Sequence, residues 1–141
     1  MNIVILLPVL IPLGTIVLAL FTRGSKGVQQ IFGIIGIGLQ LITAFAIFNK
    51  VAADGIQVVQ LGNWPAPYGI TFVADLFSSI MLVMSGIIGL MIAIYSISTI
   101  DRFRQRFSYF PLVNALLMGV NGAFLTGDVF NLYVWFEVMI L

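Results

Sequence analysis

Apolar residues in this chain come in long runs separated by short polar breaks. Asn2 to Thr22 is nearly continuous apolar sequence, about 20 residues and so long enough for one membrane crossing. Pro8 and Pro12 interrupt it, which a helix in lipid tolerates when neighbours satisfy the carbonyls that proline leaves free. A cleaved leader would carry positive charge ahead of the run. Here Arg23 and Lys26 follow it and no small-x-small cleavage site is evident, so the run reads as a retained helix. Val28 to Phe48 is a second crossing, with Gly33, Gly36, Gln40 and Ala44 on one face at helical spacing, the pattern of a helix-packing seam. Residues 50–69 carry Lys50, Asp54, Asn63, Pro65 and Pro67 and cannot span. Within this outer loop Ile56 to Leu61 predicts a short strand on the membrane surface, and Gly62 to Gly69 a rigid turn with Trp64 and Tyr68 at headgroup level. Thr71 to Ile97 is a third crossing, and its small and polar stripe (Asp75, Ser79, Leu82, Gly86, Gly89, Ala93, Ser96) faces other helices. Tyr109 to Leu125 is a fourth, with Asn114, Met118, Asn121 and Leu125 on one face. A fifth helix begins near Val129 and reaches Leu141 after about 13 residues, too few to cross, so the chain is expected to be a piece of a longer one.

The pattern predicts an all-α integral membrane protein, a single transmembrane region over residues 1–141. Composition agrees: apolar residues make up 61% and charged residues 8%, against roughly 25% charged in soluble domains. A net charge of +1 leaves no basic footprint for nucleic acid. Cysteine and histidine are both absent. That removes disulfides, thiolate and imidazole metal sites and the commonest general base. No nucleophilic triad or phosphate-cradling loop is present, so no cofactor or metal is expected and a soluble enzyme is excluded. Basic residues set the orientation. Arg23 and Lys26 (loop 23–27) fall on the same side as Arg102, Arg104 and Arg106 (loop 98–108), with Lys50 alone opposite. The positive-inside rule then places both basic loops in the cytoplasm and the N-terminus outside.

The candidate chemistry lies in the last run. Glu137 sits nine residues past Asp128, roughly 13 Å along a helix and so near the membrane midplane. Hydrocarbon disfavours a charged carboxylate unless a cation or hydrogen bonds hold it. A group poised between its two forms can take up and release a proton, so an intramembrane acid is a functional site by default. All six basic residues lie in loops or at helix ends, so a charged partner must come from elsewhere. Tyr133 and Phe130 are the neighbours on Glu137's face; Asn131 is about 240° away in projection. Tyr133, Asn121, Asp128 and Asp75 are the supporting candidates. Asp75 and Asp128 each suit a helix N-terminus equally well.

Three stretches carry a family resemblance: Gly62 to Ile70 (GNWPAPYGI), Val73 to Leu76 (VADL) and, above all, Gly119 to Met139 (GVNGAFLTGDVFNLYVWFEVM). They resemble the D subunit of the bacterial Mrp-type multisubunit Na⁺/H⁺ antiporters. That subunit belongs to the wider antiporter-like family shared with respiratory complex I and membrane-bound hydrogenases. The resemblance covers the whole chain but only the family's first portion. It implies about fourteen helices with two inverted five-helix repeats in the full-length subunit. It also implies a proton-pathway glutamate matching Glu137, whose companion lysines lie on later helices without counterparts here. The implied setting is a bacterial inner membrane, with other antiporter subunits and the lipid bilayer as partners and H⁺ and Na⁺ as transported ions. Two alternatives stand beside it: a proton-pumping subunit of a complex I or hydrogenase assembly, and a structural membrane scaffold.

Overall fold

The computed structural model describes residues 3–22, 25–64, 68–101 and 108–140. A 3-10 turn, Ile3–Leu6, leads into α1 (Leu7–Phe21), followed by α2 (Lys26–Asp54). A hairpin of β1 (Gln57–Gln60) and β2 (Thr71–Ala74) comes next, then α3 (Leu76–Thr99), α4 (Tyr109–Leu125) and α5 (Val129–Ile140). By length and composition, Ile3–Phe21, Gly27–Asp54 and Leu76–Thr99 can each cross a membrane, while α4 and α5 are shorter apolar helices.

Two boundaries differ from the hydropathy reading. The second helix continues past Phe48 to Asp54, because Val51, Ala52 and Ala53 sustain it and Val51 still has core to meet. It stops where Gly55 takes a positive φ of 78° and donates its N–H to Val51 O at 2.9 Å, a helix end that glycine adopts without a Cβ penalty. The expected third helix starts late. Thr71–Ala74 is a strand, paired antiparallel with β1 from Gln57↔Ala74 to Gln60↔Thr71. Four apolar residues ahead of a helix carry no period that separates the two states. Asp75 supplies the break. Its backbone is extended, its Oδ1 accepts from Ser78 N–H at 2.7 Å, and Ser78 Oγ accepts from its own N–H at 2.9 Å, a complete capping box. Asp75→Ala is expected to cost about 1 kcal/mol, read as a lower thermal midpoint. Asp75→Asn should retain most stability and full transport; loss of transport in that variant would make Asp75 more than a cap.

The hairpin covers one end of the bundle. Val59, Phe72 and Ala74 point inward and join Ile5, Ile47, Val51, Leu82 and Leu125 in one core cluster. The chain leaving α4 extends this small sheet: Thr126 bridges Phe72, and Gly127 N–H donates to Thr71 O at 2.8 Å. At the other end Ile37, Ala93, Phe110 and Leu117 form a second cluster. Gln29 Nε2 donates there to Ala19 O at 3.0 Å, and the Ser96 and Tyr109 hydroxyls lie 2.8 Å apart. The small and polar stripes face inward. Ser79, Leu82, Gly86, Gly89, Ala93 and Ser96 are buried on α3, and Asn114, Asn121 and Leu125 on α4, with Met118 half-buried. Arg23, Pro65, Pro67 and the arginines at 102, 104 and 106 lie outside the described residues, so the basic-loop and Trp-Pro readings remain expectations.

Candidate functional site

Among the described residues the polar groups of interest fall in two regions, one inside the bundle and one on its outside. The inner one starts from a missing donor. Pro12 has no N–H, so the carbonyl four residues earlier, Pro8 O, has no helical partner. Two buried amides are aimed at it: Gln40 Nε2 from α2 at 3.5 Å and Asn121 Nδ2 from α4 at 3.4 Å. Asn121 Oδ1 in turn accepts from Ser85 Oγ of α3 at 2.7 Å. Three helices thus meet at one proline-freed carbonyl, and α3 joins them through Asn121. Two turns away, Asn114 Nδ2 donates to Phe110 O at 2.9 Å and Gly33 O at 3.3 Å. None of these groups titrates. Asn121 therefore acts as an interhelical clasp, the kind of hydrogen bond that membrane interiors favour between helices. Gln40, read from sequence as part of a packing seam, also supplies a donor. The signal for this was the four-residue spacing of Pro8 and Pro12.

The outer region is set by the start of α5. Asp128 Oδ1 accepts from Asn131 N–H at 2.6 Å, and Asp128 O accepts from Leu132 N–H at 3.1 Å. This is N-capping, the use expected of an acid at a helix start. It fixes the rotation from which the helix runs. Asn131 is buried, and Trp135, one turn on, meets Phe72 edge-on with ring centroids 6.2 Å apart. The opposite face carries Phe130, Tyr133, Phe136 and Ile140, all exposed, and Glu137 is exposed among them. Tyr133 and Glu137 are one turn apart and share that surface. Among the described residues no hydrogen bond joins them. Asn121, Asp128 and Asp75 do not gather around Glu137 either: the first lies in the inner clasp and the two aspartates cap helices at the hairpin end. Sequence reasoning missed Trp135, because a tryptophan in an apolar helix reads equally as lipid-facing or as packing.

What the geometry offers is a carboxylate presented outward from an apolar helix face. Comparison with known proteins places the whole chain beside membrane antiporter subunits. It is 39% identical over 141 residues to the D subunit of the Na⁺/H⁺ antiporter of Bacillus subtilis, matching 100% of this chain and 29% of that protein. It is 41% identical over 143 residues to the D subunit of the Na⁺/H⁺ antiporter of Alkalihalophilus pseudofirmus, again with 100% and 29% covered. Over its whole length the chain is similar to the N-terminal portion of members of the antiporter D-subunit family. It spans less than a third of these family members, their N-terminal portion. The family includes a protein from Rhizobium meliloti named as the D subunit of a probable K⁺/H⁺ antiporter, 37% identical over 144 residues, with 96% of this chain and 26% of that one covered. No protein-family model matches the chain.

Solved structures agree with that likeness. The Mrp complex from Dietzia sp. superposes with a TM-score of 0.88 at 31% identity, over 100% of this chain and 26% of the matched one. The membrane-bound sulfane sulfur reductase, an archaeal respiratory membrane complex, gives 0.82 at 25% identity, over 97% and 28%. The family fold is that of a multi-pass membrane protein, and the five helices described above are its N-terminal helices.

Proposed function

We propose that this chain forms part of a multisubunit monovalent cation/proton antiporter and that Glu137 carries a proton within it. The observation that supports this most is the outward presentation of Glu137 on α5 in a chain whose whole length matches the N-terminal portion of antiporter D subunits. An acid on an apolar helix is costly unless further protein or water meets it. Its face is therefore taken as the one covered by later helices of the full-length subunit. A cation brought there favours the ionised carboxylate, and loss of that charge favours proton uptake, so the two groups exchange protons as a pair. Proton entry down the membrane potential is thereby linked to Na⁺ efflux through the assembled complex. Tyr133 flanks the carboxylate and shields it from lipid. Asn121, Asp128 and Asp75 hold the helices that present it.

In this reading the chain is a secondary transporter subunit rather than an enzyme. It sits in a bacterial inner membrane with its N-terminus outside and loops 23–27 and 98–108 cytoplasmic. A second reading, a proton-pumping subunit of a redox complex, is favoured by the likeness to the archaeal respiratory complex, but the identity there is 25% against 39–41% for antiporter subunits. The test is Na⁺-dependent proton movement in vesicles holding the full-length subunit, assembled, with Glu137→Ala. Antiport at the wild-type level would overturn the role, and proton pumping driven by a redox substrate without Na⁺ would select the second reading.

A further inference from the structure

Trp135 is held by shape alone. Its indole N–H is buried with no acceptor among the described residues, so no hydrogen bond fixes the ring. Three contacts do. Gly122 of α4 lies directly under the ring: a Cβ added there would overlap its Cδ2 and Cε2. Phe72 of the hairpin meets the ring edge-on. One turn further, Gly119 leaves room for Met139, whose Cγ would lie 2.6 Å from an added Cβ. Glycines in this register let α5 approach α4 closely. Residues two apart on a helix point about 200° from each other, so a ring seated on Gly122 sends the Glu137 side chain away from the bundle.

The seat also has an alternative beside it. A cavity of about 280 Å³, lined by Leu6, Val9, Phe72, Asn131, Val134 and Trp135, opens next to the ring. A ring pushed off Gly122 has space to enter, and α5 would turn with it rather than unfold. We propose that Trp135, seated on Gly122 and edged by Phe72, is the positioning residue that sets the presentation of Glu137. The inference rests on the role proposed for Glu137, but its geometry is measurable without transport.

The test uses the full-length subunit in the assembled complex in membrane vesicles, with a hydrophobic carbodiimide as probe and mass spectrometry reading the modification rate of Glu137. Gly122→Ala puts a methyl into the seat and is expected to change that rate and to lower antiport by about tenfold, the order a misplaced reacting group produces. Trp135→Phe leaves a gap at the same place and is expected to shift the rate by about threefold, which keeps the test alive where Gly122→Ala does not assemble. The pair together, methyl filling gap, should restore the rate to within about twofold of wild type, a rescue that simple destabilisation would not give. An unchanged labelling rate in the single variants, or no restoration in the double, overturns the positioning. Antiport surviving Glu137→Ala overturns the role of Glu137 instead, and the labelling comparison separates the two failures.

Discussion

Replacing Glu137 by alanine is expected to lower Na⁺-dependent proton movement at least ~10²-fold, the scale at which a positioned proton-transfer group contributes. The five-helix portion should be unaffected, because α5 is docked through Trp135 and Met139, and Glu137 makes no hydrogen bond among the described residues. Glu137→Gln is the sharper variant. It keeps shape and hydrogen-bonding capacity but cannot ionise, so it should be as inactive as alanine. Glu137→Asp keeps the acid and draws it back by one methylene, and a partial loss of about tenfold is expected from the misplacement. Proton movement followed with a pH-sensitive dye after a Na⁺ pulse, normalised to assembled complex, reads all three. The ordering Asp above Gln and Ala is what a proton carrier requires; Gln equal to wild type would leave Glu137 a packing residue.

The inward faces were legible in the sequence because each is written as a stripe. Small and polar residues recur on α3 from Ser79 to Ser96 and on α4 from Asn114 to Leu125 at helical spacing, and a helix in lipid has no other reason to align them. The hairpin was half legible. Ile56 to Leu61 reads as a short strand, and Gln57–Gln60 is one, but Thr71–Ala74 is an apolar run abutting an apolar helix, and only its pairing with β1 and the cap at Asp75 separates it. The freed acceptor of the inner clasp was signalled by the Pro8 and Pro12 spacing, but its donors were not readable, since Gln40, Ser85 and Asn121 each lie on a different helix. Glu137 itself stood out as an acid in an apolar run. The seat that aims it did not, because Gly122 and Trp135 look like ordinary packing residues until α4 and α5 are placed side by side.

Gly36→Leu is expected to cost about 3 kcal/mol or more, because it overfills the point where α1, α2 and α4 converge. A Cβ at Gly36 would run into Thr15 Oγ1, lie 2.9 Å from Thr15 Cγ2 and come within 3.1 Å of Asn114 Oδ1. Neither neighbour can yield cheaply. The Thr15 hydroxyl is bonded to Ile11 O at 2.9 Å, and the Asn114 amide is tied to Phe110 O and Gly33 O. A leucine must therefore push α1 from α2, which also withdraws Pro8 O from Gln40 and Asn121 and leaves buried amides without partners. The loss should appear as a lower thermal midpoint of the complex in detergent and as less assembled complex in the membrane. Gly36→Ala should cost less, about 1–2 kcal/mol, for the smaller intrusion. Adding Thr15→Ala removes both Thr15 atoms the new methyl meets, so the double variant should recover most of that loss, as coupled neighbours do. Wild-type melting of Gly36→Leu would mean that these helices do not touch at Gly36, and the clasp around Pro8 would fall with that contact.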